Sequence, residues 1–144
     1  MKISTRTRYG IRATIELAQH YKKGPLQLRI IAERQDISVK YLEQLMAVLR
    51  SAALVRSVRG AKGGYMLAKA PEEVRLSDVF HCLEGPVATS ECVDNTDFCE
   101  RAIDCVAREL WTQVEEAINK VMDAVTLRDM VERAKQPDRA DYQI

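Results

Sequence analysis

The sequence contains no long apolar stretch. No run approaches the roughly 18 uninterrupted apolar residues that a membrane span requires, and the opening decapeptide MKISTRTRYG has no apolar segment of the signal-peptide kind. We therefore expect a cytoplasmic protein with no membrane partner. At 144 residues and 47% hydrophobic content, the chain is long enough for one domain with a core, or for a small module with an appended oligomerisation element.

Motifs of the common enzyme sites are also missing. The sequence has no glycine-rich phosphate loop of the Walker or dinucleotide type, no HExxH pattern, and no Ser or Cys nucleophile beside a histidine. The string RGAKGGY is rich in glycine, but it lacks the spacing and the following helix of a phosphate-binding loop. We therefore predict that the protein is not an enzyme and has no small-molecule substrate.

The net charge of the chain is only +1, so there is almost no overall excess of either sign. The basic and acidic residues are nevertheless concentrated in different halves of the sequence. Residues 1–70 contain 14 Lys and Arg against 4 Asp and Glu, a net charge of +10, whereas residues 71–144 contain 8 against 17, a net charge of −9. The basic half favours a polyanionic partner, because each cation that neutralises a phosphate releases counterions. We predict double-stranded DNA; a merely solvated helical face is the less favoured interpretation.

Helical periodicity and capping residues predict three helices in the basic half. The first begins at Ser4 and extends to about Lys23, the second covers about 28–35, and the third begins after Ser38, a typical N-cap residue. The third helix has apolar residues at the i, i+3, i+4, i+7 spacing of a core-facing helix. Its opposite face carries polar side chains, namely Lys40, Tyr41, Glu43, Gln44 and Arg50. This arrangement is typical of a helix-turn-helix.

A β-hairpin is predicted directly after these helices. Two short strand-like runs, 54–58 and 65–67, flank a glycine-rich turn. Gly60 supplies conformational freedom to the turn, and Arg59 and Lys62 place positive charge at its tip. An arginine at such a tip is suited to a narrow minor groove, so we interpret the hairpin as the wing of a winged helix. The predicted fold is mainly α with a small β-hairpin wing.

The domain organisation follows from these elements. Residues 1–70 are assigned to a winged helix-turn-helix domain, 71–87 to a linking helix, 88–105 to a cysteine-containing loop, and 105–136 to dimerisation helices; 137–144 are expected to form a disordered tail. The long helix of the fourth segment has an apolar seam, consisting of Leu110, Val114, Ala117, Val121 and Ala124. A second copy of the chain is the simplest partner for that seam, and packing onto its own chain is the alternative.

Four cysteines in a chain expected to be cytoplasmic favour metal or redox chemistry over disulfides. Cys92, Cys99 and Cys105 lie together in the polar, acidic loop, whereas Cys82 lies in an apolar run and is predicted to pack as a small hydrophobic residue. The three clustered cysteines lack the C-x2–4-C knuckle of structural zinc sites. Their wider spacing favours an iron–sulfur cluster, without defining its nuclearity.

Several of these segments together resemble the Rrf family of bacterial regulators, from residue 1 to about residue 131. The resemblance is carried by Tyr9 and Ala13, the string ISVKYLEQLMAVLR, the wing SVRGAKGGYMLAK, and the three-cysteine loop before a long helix that contains Trp111. It implies a homodimeric winged-helix repressor or activator that reports iron–sulfur status to cluster-assembly genes. It also implies a [2Fe–2S] cluster with the three clustered cysteines as ligands.

The fourth cluster ligand is left open by this resemblance. Iron–sulfur regulators of the family have a histidine three residues after the last cysteine, where this chain has Arg108, and a protonated arginine does not normally bind iron. Both histidines, His20 and His81, lie on predicted helices and are expected to be ordinary surface or core residues. The nearby carboxylates are alternatives: Glu91, Asp94, Asp97, Glu100, Asp104 and Glu109.

The predicted DNA contacts divide by role. Phosphate contacts are predicted for Arg6, Arg8, Arg50 and Lys62. Contacts to base edges are predicted for Lys40, Tyr41, Glu43 and Gln44. Ser38 and Gly60 are also predicted to lie in the DNA-binding surface, without an assigned role. Arg59 is assigned to the minor groove. Since a glutamate accepts from cytosine N4 but repels phosphate, Glu43 is a candidate discriminator between classes of operator.

Two hypotheses for the signal follow. In the first, occupancy or redox state of the cluster shifts the long helix and the wing, and so changes affinity for operators. In the second, the regulator is independent of a cluster: the three cysteines form disulfides or hold zinc, and the fold responds to oxidation or to a metabolite.

Overall fold

The structure is a computed structural model that describes residues 1–136; the predicted tail at 137–144 lies outside the described residues. Two strands and seven α-helices are described, and one-turn 3₁₀ helices occur at Pro71–Glu73 and Thr96–Phe98. The basic half contains α1 (Thr5–Gln19), α2 (Leu28–Gln35), α3 (Val39–Ser51), β1 (Val55–Val58) and β2 (Gly64–Leu67). The acidic half contains α4 (Leu76–Glu84), α5 (Glu91–Asp94), α6 (Val106–Ala124) and α7 (Leu127–Lys135).

The helix-turn-helix is formed by α2 and α3. Asp36 adopts a left-handed conformation (φ 52°, ψ 52°) that ends α2, and the next residue, Ile37, is buried. Ser38 then caps α3 by accepting a hydrogen bond from the Tyr41 backbone N–H at 3.2 Å. The predicted core face of α3 is buried, through Leu42, Leu45, Met46 and Leu49. The tight turn and the apolar spacing therefore predicted this unit correctly.

The first helix is shorter than the sequence indicated. Ser4 caps it as predicted, by accepting from the Thr7 backbone N–H at 3.2 Å. Regular helix ends at Gln19, and Lys22 has a positive φ of 64°. The turn after Gln19 brings Leu26 beside the hairpin, where its backbone N–H donates to the Tyr65 carbonyl oxygen at 2.9 Å.

The hairpin is antiparallel, with Val55 opposite Leu67 and Val58 opposite Gly64. Gly64 permits the close approach of the Leu26 segment, because a Cβ at this position would lie 2.3 Å from the Leu26 carbonyl oxygen. The fold therefore agrees with the predicted mainly helical protein carrying a small β-hairpin.

The last helix packs into the N-terminal core. Leu127 is 0% exposed and Val131 is also buried, in the same cluster as the buried residues of α1 and α3. The Leu127 backbone N–H donates to the Val74 carbonyl oxygen at 2.9 Å. Residues 105–136 were predicted to form dimerisation helices; Leu127 and Val131 of α7 are buried within their own chain.

The long helix α6 extends from this core without burying any of its residues. It contacts α4 and α5 and carries the cysteine loop on one side. Within residues 1–136, no helix has the length and apolar character needed to cross a membrane.

Candidate DNA interface and cysteine loop

The outer face of α3 is the centre of the candidate DNA interface. Its side chains are exposed at Lys40, Glu43, Gln44 and Arg50, on the side opposite the buried leucines. Two cations, a carboxylate and an amide on one exposed helix provide both donors and acceptors for base edges. The structure therefore brings together four of the predicted contact residues on α3.

Tyr41 has a different environment from its neighbours. It is half-buried, and its ring packs edge-on against Tyr9 of α1 with 6.1 Å between ring centroids. The predicted base contact of Tyr41 is therefore limited to the part of the side chain that stays accessible. Its backbone N–H is also used, since it donates to the capping hydroxyl of Ser38.

The wing lies next to the end of α3. Arg59 and Lys62 are exposed at the hairpin turn, and Gly60 there has a φ of 113°. The Arg50 Nη1 donates to the Ser57 hydroxyl oxygen at 3.4 Å, which joins the last turn of α3 to β1. Arg50 at the end of α3 is therefore in contact with the first strand of the hairpin, and Arg59 and Lys62 are exposed at the turn of the same hairpin.

The first turn of α1 also lies beside α3. Arg6 lines a pocket of about 290 Å³ together with Tyr41 and Gln44. Arg8 is exposed, and its Nη2 donates to the Thr5 hydroxyl oxygen at 3.1 Å. Arg6 is thus adjacent to the candidate base-contacting helix, as a phosphate contact at the edge of that helix would require.

The cysteine loop is more structured than its sequence suggested. Cys92 lies within the single turn of α5, Cys99 ends a 3₁₀ turn, and Cys105 is the N-cap residue of α6. All three side chains are half-buried and carry free thiols.

The loop is anchored on the inward side of α6. Arg108 Nε donates to the Cys92 carbonyl oxygen at 2.7 Å. The Thr89 hydroxyl donates to the Trp111 carbonyl oxygen at 3.1 Å and lies 3.4 Å from a carboxylate oxygen of Glu115. Arg108, which stands where the resemblance to iron–sulfur regulators led us to expect a histidine, therefore holds the backbone of the first cysteine.

The thiols suit a metal cluster by their chemistry, but they do not form a preassembled site. Among residues 1–136, no three His, Cys, Asp or Glu side chains are grouped closely enough to hold one metal ion. A closed zinc site needs four ligands around one ion, so this conformation does not fit zinc. A two-iron cluster distributes its ligands over two irons, and it too would require Cys92, Cys99 and Cys105 to converge.

The other predicted special residues occupy ordinary environments. The Cys82 thiol is half-buried against the core, 3.7 Å from the Val48 carbonyl oxygen, and burial raises its pKa. His20 follows the end of α1 and His81 is exposed on α4.

The exposed side of α6 is apolar. Val121 is 65% exposed and Leu110 is 52% exposed, and both belong to the predicted seam. Beside them, an apolar groove of about 440 Å³ is lined by Met1, Ile3, Phe80, Val114, Ala117, Ile118, Val121 and Met122. Residues 1–136 therefore leave the predicted seam of α6 partly exposed.

Sequence reasoning missed two groups of polar contacts. Glu84, at the end of α4, accepts hydrogen bonds from the backbone N–H and the hydroxyl of Ser4 and from the hydroxyl of Thr7, so it caps the start of α1 from another helix. Arg12 and Gln35 form a second group between α1 and the helix-turn-helix. No local pattern indicates either group, since the partners are separated by 80 and 23 residues.

Comparisons with known proteins agree with this architecture. The Rrf2 family model, described as an iron-dependent transcriptional regulator, matches residues 3–133. The regulator CymR of Bacillus subtilis is 41% identical over 130 residues, which cover 90% of this chain and 89% of CymR.

Two solved structures have the same fold. The structure of CymR, described as the global cysteine regulator of B. subtilis, superposes with a TM-score of 0.80 at 41% identity. The match covers 92% of this chain and 98% of the CymR chain. T. potens IscR superposes with a TM-score of 0.79 at 41% identity, and the match covers 97% of this chain and 93% of the IscR chain. These relatives are transcription regulators, in agreement with the prediction of a non-enzyme. The family model extends over nearly the whole sequence, and the chain therefore belongs to the Rrf2 family of DNA-binding transcriptional regulators.

Proposed function

We propose that the protein is a homodimeric transcription regulator that senses iron–sulfur status through a [2Fe–2S] cluster and controls genes of iron–sulfur cluster biogenesis. Cys92, Cys99 and Cys105 supply three cluster ligands, and the fourth comes from a neighbouring carboxylate or from the partner subunit. One observation carries the proposal: the loop with the three thiols is hydrogen-bonded to α6, the helix whose other side is apolar and exposed.

DNA binding is assigned to α3 and the wing. The exposed polar face of α3 enters the major groove, and Arg59 enters the adjacent minor groove. The +10 charge of residues 1–70 supplies the sequence-independent part of the affinity. Glu43 is exposed on this face, where it can accept from cytosine N4 and so discriminate between operators.

Dimerisation is assigned to α6. Leu110, Val114 and Val121 are partly exposed on one side of α6, and pairing with a second copy of the helix removes this apolar surface from water. An isologous pair of such helices places two DNA-binding domains in a two-fold arrangement, which matches a pseudo-palindromic operator.

The signal passes from the loop to α6 through short contacts. Arg108 holds the Cys92 carbonyl, and Thr89 holds the Trp111 carbonyl. Drawing the three thiols together around a cluster changes the path of residues 92–105, and these contacts transmit the change to the dimer helix. A cluster with an incompletely cysteinyl ligand set is labile, which suits a sensor.

The experiment is an anaerobic reconstitution followed by DNA titration. Iron, sulfide and visible absorbance are measured for the wild type, for Cys99→Ala, and for Cys82→Ala as the matched control that removes a thiol outside the loop. We expect two irons and two sulfides per chain in the wild type and in Cys82→Ala, and loss of both in Cys99→Ala. Equal affinities of the loaded and unloaded proteins for all operators would remove the sensing role.

A second candidate is a cluster-independent regulator that responds to thiol oxidation. Two observations favour it: the three thiols are not grouped as a metal site, and CymR, a cysteine regulator by its description, is 41% identical. Its test is oxidation of the metal-free protein followed by mass measurement. A disulfide within the loop that alters DNA affinity in the absence of iron supports this candidate, whereas iron uptake without any effect of oxidation excludes it.

A further inference from the structure

The recognition helix α3 is attached to α1 through an aromatic contact. Tyr41, in the first turn of α3, packs edge-on against Tyr9 with an angle of 79° between the rings. Arg12, one helical turn after Tyr9, places its guanidinium carbon 5.3 Å from the centroid of the Tyr9 ring. Tyr9 therefore lies between a side chain of the recognition helix and a cation of α1.

The same arginine holds the turn of the helix-turn-helix. Arg12 Nε donates to the Gln35 side-chain oxygen at 2.8 Å, and Arg12 Nη2 donates to the Gln35 backbone carbonyl. Gln35 is the last residue of α2 and precedes the left-handed Asp36. Cations are favoured at a helix C-terminus, where backbone carbonyls lack partners. Arg12 thus fixes the end of α2 at the point where the chain turns into α3.

A buried carboxylate completes the connection. The side-chain nitrogen of Gln35 donates to Glu16, which is buried on α1, and Arg34 Nη1 donates to the other Glu16 oxygen at 3.2 Å. Arg12 and Glu16 together define the orientation of the Gln35 amide, because only one orientation presents its oxygen to Arg12 and its nitrogen to Glu16. The turn is therefore fixed to α1 through both ends of one glutamine side chain.

We propose that Arg12 is a positioning residue for sequence recognition: it sets the placement of α3 relative to α1, and so determines where Lys40, Glu43 and Gln44 meet the base edges. The guanidinium is engaged within the protein and does not itself contact DNA. Base contacts depend on position, whereas phosphate contacts supply affinity without sequence information. The inference rests on the proposed role of α3 as the helix that contacts bases.

The test separates geometry from charge. Arg12→Lys keeps the positive charge but replaces the planar fork of guanidinium donors, which reaches both Gln35 oxygens and the Tyr9 ring, with a compact ammonium group of different geometry. Lys62→Gln, at the wing, serves as the comparison for a lost phosphate contact. Each protein is titrated over a range of salt concentrations with two probes: the duplex that the wild type enriches most from a randomised library, and a scrambled duplex of the same composition. Circular dichroism and thermal unfolding monitor the fold.

For Arg12→Lys we expect the ratio of specific to scrambled affinity to fall by about tenfold, as for one lost base contact, with an unchanged salt slope. For Lys62→Gln we expect weaker binding to both duplexes and a salt slope lower by about 0.9. Gln35→Ala is the second variant: it should lose discrimination like Arg12→Lys, and the loss in the double variant should be smaller than the sum of the two single losses.

Three results would overturn the proposal. The first is an unchanged affinity ratio in Arg12→Lys. The second is a salt slope that falls by about 0.9 in Arg12→Gln, as it does in Lys62→Gln, since removing the charge at position 12 lowers the slope only if Arg12 neutralises a phosphate. The third is additive losses in the double variant. If the wild type enriches no sequence at all, base recognition by α3 fails together with the positioning role. If the wild type and Arg12→Lys are equally selective, only the positioning role of Arg12 fails.

Discussion

Truncation of Leu127 tests whether the last helix belongs to the DNA-binding core. This side chain is 0% exposed and lies in the same cluster as Leu45 and Leu49 of α3. Leu127→Ala removes three buried carbons at about 0.8 kcal/mol each, or about 2.4 kcal/mol of transfer free energy. The cavity left behind raises the expected loss of unfolding free energy to about 3–5 kcal/mol.

The assay is urea unfolding followed by two probes. Far-UV circular dichroism reports on all helices, and the fluorescence of Trp111 reports on α6. We expect both transitions to shift together to lower urea with an unchanged slope. The control is Arg128→Ala on the same helix, where an exposed ion pair with Glu132 contributes at most about 1 kcal/mol.

Two results would refute the reasoning. A loss below about 1 kcal/mol, similar to that of a surface truncation, would mean that the Leu127 site is not part of a closely packed core. A shift seen only by Trp111 fluorescence would mean that α7 is stabilised with α6, as the assignment of residues 105–136 to one dimerisation unit implies.

Three further predictions concern other parts of the chain. Hydrogen bonds from Ser4 and Thr7 lower the pKa of Glu84, so Glu84→Gln should reduce the unfolding free energy near pH 7. The difference in unfolding free energy between variant and wild type should disappear as the pH falls through that lowered pKa, which chemical denaturation at several pH values measures. Val121→Asp places a charge on the exposed apolar side of α6 and should dissociate the proposed dimer in light scattering; a mass still equal to two chains would contradict the assignment of α6. Gly64→Ala would bring a Cβ to 2.3 Å from the Leu26 carbonyl oxygen and should lower the unfolding free energy by about 1–3 kcal/mol. This loss should exceed that of Gly60→Ala, whose added Cβ meets no atom within 4 Å, and thermal unfolding of the two variants compares the losses.

The elements that were predicted best are those specified by neighbouring residues. Ser4 caps α1 and Ser38 caps α3, as predicted. The capping side chain lies within three residues of the backbone group that it satisfies, so its effect is visible in a short window of sequence. The end of α1 was harder to predict, because the contact that turns the chain there joins Leu26 to Tyr65 of the hairpin.

The placement of α7 could not be predicted for a related reason. Its apolar spacing indicates that one side is buried, but periodicity does not identify the surface that buries it. The structure places Leu127 and Val131 against α1 rather than against a second chain. Tyr41 is a similar case: its position on the polar side of α3 suggested a base contact, whereas Tyr9 covers part of its ring.

By itself, the sequence determined the helix-turn-helix, the wing, the segregation of charge and the three thiols in one loop, because capping, periodicity and charge act within a few residues along the chain. Only the tertiary structure decided that Arg108 holds the Cys92 carbonyl, that Glu84 caps α1, and that Arg12 joins α1 to the turn before α3. Those contacts depend on which helices lie side by side, and the packing of the whole core determines that arrangement.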